Sequence, residues 1–341
     1  MSSRRGGLEQ AFVNISNSLV RLGHQVEAWI PEDAPYQGEL AEGVEVVPFT
    51  AKGFYDVLAM LKARKRLRRS APDLVITHNS RATSILARSR MGLSCPVLGF
   101  SHSDKLKRMK GADSLVVLTE KMRQNSLRSG FEGERVAVFP NMITHVPALS
   151  VRGAALERAV PVRLGFVGRV NPEKGLDLLL EALRLLKQRG VQLRLHIAGS
   201  GDSEAEIRAL AETLGITDAV AFDGWIDDIA GWLAEVDLAV LPSRQESFGI
   251  VVLEAAAYGC PIVSTTADGP ASQITHDLDG WLAEAGSVES LAETLQHAID
   301  SYPRWPDVIC KAHQRACRYS MDALLPRLQQ LLEQAVRDGR R

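Results

Sequence analysis

Apolar residues follow two rhythms along this chain. Short, nearly unbroken apolar runs recur at Gln25–Ile30, Val44–Pro48, Asp73–His78, Pro96–Phe100, Ser114–Leu118 and Arg135–Phe139. A second series falls at Val162–Val167, Leu193–Ala198, Val220–Trp225, Val236–Leu241 and Pro261–Ser264. Such runs suit strands buried on both faces of a parallel sheet. Between them the apolar positions recur at helical spacing. Leu8, Ala11, Phe12, Ile15, Leu19 and Leu22 make one stripe, with Gly23 as its stop, and Leu178, Leu179, Leu183 and Leu186 make another. In residues 54–69, Leu58, Leu61 and Leu67 are read as the apolar stripe of a third helix. Strands alternating with helices predict an α/β protein with parallel sheets. Residues 144–160, with Pro147 and Gly153, lack either rhythm and read as a linker. The division is therefore a first domain over 1–143, a second over 161–303, and closing helices within 304–341.

One stretch carries most of the candidate chemistry. The strand Val236–Leu241 runs into Pro-Ser-Arg-Gln-Glu246-Ser-Phe-Gly249, and Ile250 to Tyr258 then reads as helix. In an open α/β sheet the carboxyl ends of the strands are where ligands bind. Gly249 removes the side chain where the helix begins. The amides of Phe248, Gly249, Ile250 and Val251, next to Ser247, then suit an anion such as a diphosphate. Glu246 lies just before this cluster and Glu254 about two turns into the helix. Carboxylates on both sides of an anion site suit hydroxyls: those of a sugar at Glu246 and those of a ribose at Glu254. A sugar nucleotide has that shape.

A second stretch repeats the logic with cations. After Val162–Val167 come Gly168-Arg169-Val-Asn-Pro-Glu-Lys174-Gly175 and an amphipathic helix. Arg169 can grip phosphate oxygens bidentately, while Lys174 acts as a point charge. Asp227-Asp228 precedes a helix and reads as its cap, not as a metal site.

Composition narrows the class. The chain has 341 residues, is 45% hydrophobic and 24% charged, and contains no apolar run long enough to span a bilayer. Met1–Gly7 lacks an apolar signal core, so no export is read. Cys95, Cys260, Cys310 and Cys317 have no metal-ligand spacing, which suggests reduced thiols and a cytoplasmic setting. The net charge of −1 is split: residues 1–150 carry 21 Lys and Arg against 14 Asp and Glu, and the rest carry 19 against 27. Helix 54–69 ends in a dense basic run. It suits either an exposed helix with cations at its C-terminus or docking to an anionic membrane surface. No aromatic interleaving or binding motif points to nucleic acid.

The Glu246-x7-Glu254 arrangement and the Gly-Arg-x4-Lys-Gly turn resemble the family 4 retaining glycosyltransferases, of the GT-B fold and the glycosyl transferases group 1. The resemblance runs from about Gly6 to Ala298 and is strongest from Leu164 to Trp281. It implies two doubly wound Rossmann-like domains facing across a cleft, with C-terminal helices crossing back to the first. It also implies a nucleotide-sugar donor held by the second domain, an acceptor held by the first, and anomeric retention. By position it makes His102 a catalytic candidate near the donor sugar and puts Gly7, in the Gly6-Gly7 pair, near the donor diphosphate. Pro140-Asn141 resembles the family's exit turn, and Gly224–Ile226 falls where a nucleobase wall is expected. His78, Asn79 and Arg81, at a strand end, are acceptor-side candidates. Two departures stand out. The family opens with an apolar strand before the glycine pair, whereas Met1–Arg5 is polar and short. The first strand is therefore expected to be missing, either because the start lies upstream of Met1 or because the first domain is altered. After the turn Ala267–Pro270 the family's Glu is replaced by Ala-Ser-Gln.

The expected activity is transfer of a sugar from a UDP- or GDP-sugar to an acceptor hydroxyl, with Glu246 and His102 catalytic. Neither a metal nor a cofactor is needed if Arg169, Lys174 and the helix amides carry the leaving charge. A glycan or lipid-linked acceptor in surface polysaccharide, lipopolysaccharide or glycolipid synthesis is the expected partner, with the enzyme cytoplasmic or peripheral on the inner membrane face. The alternatives are a sugar-nucleotide epimerase of the same fold and a non-catalytic sugar-nucleotide binder.

Overall fold

The computed structural model describes residues 6–149 and 161–339. They form two units, Met1–Thr144 with Met321–Arg341, and His145–Ser320. Most of the expected linker, from Ser150 to Val160, and the polar start where no first strand was expected lie outside the described residues.

The first unit opens with α1 (Gly7–Arg21) and continues through β1 (Val26–Ile30), β2 (Val44–Pro48), α2 (Val57–Ser70), β3 (Val75–Thr77) and α3 (Ser80–Ser89). Then come β4 (Val97–Ser101), β5 (Ser114–Val117), α4 (Glu120–Arg128) and β6 (Val136–Val138). Every ladder is parallel. β1 pairs with β2, and β3-β4-β5-β6 form a separate four-stranded sheet. Helix starts follow their local caps: Asp56, Asn79 and Thr119 each accept from the amide three residues on.

The second unit contains β7 (Val162–Val167), α5 (Leu176–Gln188), β8 (Leu193–Ala198), α6 (Glu204–Thr213), β9 (Val220–Gly224) and α7 (Ile229–Glu235). It continues with β10 (Leu238–Leu241), α8 (Ile250–Ala257), β11 (Ile262–Thr265), α9 (Asp268–Ala271), β12 (Trp281–Ala283), α10 (Val288–Asp300) and α11 (Trp305–Cys317). Its parallel sheet has the order β12-β11-β10-β7-β8-β9. The strand order reverses between β7 and β10, which is the switch point where a doubly wound sheet opens a ligand crevice. Both stretches singled out from the sequence leave the sheet there. The core is Leu164, Phe166, Leu195, Ile197, Leu238 and Val240 against the buried face of α5.

The last helix, α12 (Met321–Gly339), returns to the first unit. Its Leu324, Leu328, Leu332 and Ala335 pack against Ile15, Leu98, Phe100 and Val116. The expectation that all of 304–341 packs on the first domain needs correction, because α11 stays with the second unit. Trp305, Val308 and Ile309 enter that unit's core, and the buried Arg315 pairs with Asp279 at 2.5 Å.

Candidate active site

The second unit gathers its polar groups at the switch point. β10 ends in a loop pinned at several places. Ser264 Oγ donates to the Leu241 carbonyl at 3.0 Å and Thr265 Oγ1 to the Ser243 carbonyl at 2.6 Å, so β11 fixes the loop's departure from the sheet. The Arg244 amide donates to the Glu173 carbonyl at 2.9 Å. Its guanidinium grips both oxygens of Asp177 at 2.6 Å, tying the loop to the start of α5. Burial raises the Asp177 carboxyl, but the Arg244 bonds outweigh it and hold the group below the usual carboxylate range.

The loop then presents Glu246. One carboxylate oxygen pairs with Lys174 Nζ, and the other lies 3.5 Å from the Phe248 amide. Both side chains are largely shielded, at 20% and 14% exposure, so the pair is screened less than a surface one. The Lys174 stem passes 4.0 Å from where a Cβ on Gly168 would sit, next to Arg169. Arg169 is exposed and makes no ion pair among the described residues.

Gly249 sits at φ 77°, in the left-handed region, and turns the chain from the loop into α8. No side chain caps this helix. The amides of Ile250 and Val251 are therefore left for water or a ligand. Phe248 itself is buried, and its carbonyl accepts from Gln273 Nε2. The Gly269 amide donates to the Glu246 carbonyl at 2.8 Å. A Cβ on Gly269 would meet the Phe248 backbone at 2.5 Å, so only glycine allows α9 to lie this close under the loop.

Glu254 stands in the second turn of α8, and no hydrogen-bond donor among the described residues reaches its carboxylate. Burial pushes this carboxyl up to about 7. At neutral pH it is poised between acid and carboxylate. The neighbouring strand ends close the same region. The Gly199 amide donates to the Gly224 carbonyl at 2.6 Å, and the Val170 amide to the Ser200 carbonyl at 3.0 Å. Trp225 is exposed and bonded to Asp227 at 3.1 Å. Asp228 caps α7 through the Gly231 amide at 2.9 Å, the role expected for that pair. Among the described residues no group of three His, Cys, Asp or Glu side chains is arranged to hold a metal ion.

In the first unit the strand ends of β3 and β4 bring two histidines together. The rings of His78 and His102 stack at 5.4 Å, with His78 Nδ1 and His102 Nε2 3.2 Å apart. Phe100 stacks on His78 at 5.1 Å, and Phe12 meets His78 edge-on at 5.5 Å. Burial drives His102 down to about 4 and His78 well below its ordinary range, so both rings are neutral at pH 7. His102 Nδ1 is buried with no hydrogen-bond partner among the described residues. His102, Phe100, Pro140 and Asn141 help to line a cavity of about 10 Å³, at the lower limit for one water.

Two family models match the chain in tandem, Glycosyltransferase Family 4 over residues 5–145 and Glycosyl transferases group 1 over residues 156–315. The chain belongs to the group 1 glycosyltransferases. A curated relative, the lipopolysaccharide core biosynthesis glycosyltransferase LpsE of Rhizobium meliloti, is 28% identical over 298 residues, covering 86% of each chain. Among solved structures, Anabaena HepE in complex with UDP-glucose superposes with a TM-score of 0.83 at 19% identity, over 98% of this chain and 97% of that one. The apo form of the lipopolysaccharide outer core galactosyltransferase WaaB gives 0.79 at 20% identity, over 97% of both. The fold of this glycosyltransferase is GT-B.

Within its second unit the glycosyltransferase draws together Lys174 and Glu246, and it places Ser247, Gly249, Ile250, Val251 and Glu254 around one uncapped helix start. The first unit's candidates divide. Gly7 opens α1, and a Cβ there would meet nothing within 4 Å. Arg81 is exposed, its guanidinium 3.3 Å from the Ala51 carbonyl. His78 is corrected: it is 4% exposed and walled in by three rings, so it supports His102 and cannot itself meet an acceptor. Asn79 is corrected too, since its side-chain oxygen accepts from the Ala82 amide at 2.9 Å and caps α3. Arg244, Asp177, Gly269 and Gln273 escaped the sequence reading, because each acts through a partner distant in the chain. The one local hint was Gly269-Pro270 after a predicted strand, which marks a tight turn but not what it packs against.

Proposed function

We propose that this glycosyltransferase moves a sugar from a nucleoside diphosphate sugar, a UDP- or GDP-sugar, to a hydroxyl of a glycan or lipid-linked acceptor, with retention at the anomeric carbon and without a metal. The observation that carries the reading is the uncapped start of α8 set between Glu246 and Glu254, with Lys174 on Glu246 and Arg169 in no ion pair among the described residues. The diphosphate lies over the Ile250 and Val251 amides, and the two cations take up its charge as the donor bond breaks. Glu246 accepts from the sugar hydroxyls and stabilises the positive charge that grows on the ring. Glu254 accepts from the ribose. The acceptor hydroxyl forms the new bond while its proton passes to the departing phosphate oxygen, which accounts for the lack of an obvious base. His102, held neutral and with Nδ1 unpartnered among the described residues, is the first unit's candidate for a hydrogen-bonding role.

Three likenesses support this reading. HepE, of the same fold, is seen with UDP-glucose, which favours a uridine nucleotide as donor. LpsE and WaaB, named for lipopolysaccharide core synthesis, favour a cell-surface saccharide acceptor. Retention is carried by the family resemblance.

The test is calorimetry across nucleoside diphosphates and their sugars, with and without EDTA, followed by product analysis by nuclear magnetic resonance. The expected result is tight binding of one nucleotide type unchanged by EDTA, and a product with the donor's anomeric configuration. Binding that requires a divalent cation, or an inverted product, would overturn the corresponding part.

A further inference from the structure

The sequence pattern assigns Leu58 and Leu61 to the buried side of α2, and the structure reverses this. The face turned inward is Ala59, Ala63 and Leu67, spaced four apart and all nearly inaccessible. Leu58 is 73% exposed and Leu61 60%, with Val57 at 64% and Tyr55 at 75% just before them. Met91, 69% exposed, lies further along, where Arg64 in the middle of α2 donates to its carbonyl. These five are most of the large apolar side chains left in solvent among the described residues, and four of them gather at the start of α2.

Cations surround them. On the outward face of α2, Leu58 and Leu61 are followed by Lys62, Lys65, Arg68 and Arg69, all exposed. Arg88 lies 4.9 Å over the Tyr55 ring and Arg108 4.3 Å over the Phe54 ring. Residues 51–110 contain fourteen Lys and Arg against three Asp. One of those three, Asp56, is occupied capping α2.

We propose that this face of the first unit docks on an anionic lipid bilayer, with Tyr55, Val57, Leu58, Leu61 and Met91 entering the headgroup region and the ring of Lys and Arg meeting lipid phosphates. Exposed leucines beside a basic run supply the two attractions that hold a helix on an anionic bilayer, buried apolar area and charge. The apolar group distinguishes the occupant. A nucleic acid would reward the cations but leave the leucines, valine and methionine in water. A bilayer rewards both, and the long Lys and Arg stems can reach out to the phosphates while the chain end stays wet. The proposal gives the lipid-linked acceptor a place to be met, but it does not depend on glycosyl transfer, because docking is measured without donor or acceptor.

The experiment is co-sedimentation of the full chain with vesicles of phosphatidylcholine alone and of phosphatidylcholine with phosphatidylglycerol, across a salt series. Wild type is expected to bind only the anionic vesicles and to lose binding as salt rises. Lys62→Ala with Lys65→Ala is expected to weaken binding by about thirtyfold, at the strength typical of cations near a charged surface. Leu58→Ser with Leu61→Ser is expected to weaken it at least tenfold, with an unchanged thermal melt. No preference for anionic vesicles would overturn the proposal. A leucine variant that binds like wild type would also overturn it, by showing adsorption through charge alone. So would a wild-type dimer in solution that the leucine variant dissolves, since a second copy would then cover the patch. A loss of transfer activity with docking intact would count against the functional reading and leave this one standing.

Discussion

Replacing Glu254 with Gln separates two effects of one carboxyl. In the folded protein burial lifts this group to about 7, against an ordinary value of 4.5. Between those two values the folded chain keeps a proton that the unfolded chain has released. Stability therefore falls as pH rises through this window, and above pH 7 the full cost is present, about 3 kcal/mol. Glu254→Gln keeps the shape and loses the charge. It should match wild type in thermal stability near pH 4 and exceed it at pH 8 by roughly 6–12 °C in the second unit's transition. Ligand binding should move in the opposite direction. On the proposed reading, ribose hydroxyls donate best to the ionised carboxylate, so nucleotide binding should pull its pKa down. Near pH 7, where the free group is about half protonated, each binding event should release about half a proton. Calorimetry in two buffers of different ionisation enthalpy reads that release directly. In Glu254→Gln the release should vanish and affinity should fall about 10- to 100-fold, the loss of hydrogen bonds to a charged group. A variant that is less stable than wild type at pH 8, or wild-type binding without proton release at pH 7, would refute the argument.

Other substitutions probe the rest of the site. Lys174→Ala should lower kcat/KM by about 100-fold or more and weaken nucleoside diphosphates more than the corresponding monophosphates, in steady-state and binding assays. Gly269→Ala should push α9 away from Phe248, costing about 1–3 kcal/mol in a denaturant melt and lowering transfer further than the melt alone explains. His78→Phe keeps the stack with Phe100 but removes the partner of His102. It should lower kcat about tenfold with little change in donor KM, and an unchanged kcat would remove the His102 ring from the chemistry.

Some of this was legible in the sequence for a clear reason. A parallel strand buried on both faces leaves a continuous apolar run, so Val236–Leu241 and Val162–Val167 announced themselves, and the polar loops after them had to lie at strand ends. Gly249 and Asp228 act within three residues of where they stand, so their roles could be read locally. Three kinds of feature could not. In α2 the pattern of large apolar residues selected the wrong face, because small Ala59 and Ala63 let the helix lie close to its neighbours while the leucines turn out. At the end of β3, the strand-end rule placed His78 correctly but could not say whether its ring faced solvent or Phe12 and Phe100. In α11, helix periodicity was evident, yet its attachment rests on Arg315 meeting Asp279, thirty-six residues earlier.

The pairings in the second unit suggest why its charges are arranged as they are. Held alone near a helix start, a lysine and a glutamate that must later serve different parts of a ligand would each need solvation. Paired with each other and largely shielded from water, Lys174 and Glu246 instead hold the loop in one geometry before any ligand arrives. On the proposed reading, a bound diphosphate offers Lys174 a stronger anion than one carboxylate. Glu246 is then released from its partner at the moment when positive charge grows on the sugar. Arg169, with no carboxylate partner to leave among the described residues, can engage the diphosphate first. Glu254 adds a third element, since a carboxyl that is half protonated at neutral pH repels an arriving diphosphate less than a full charge would, and it ionises as the ribose settles. The loop itself is held by Arg244 on Asp177, and by Gly269 and Gln273 beneath it, all outside the exchange. The frame can therefore stay fixed while the pairing inside it changes, which is what electrostatic preorganisation requires.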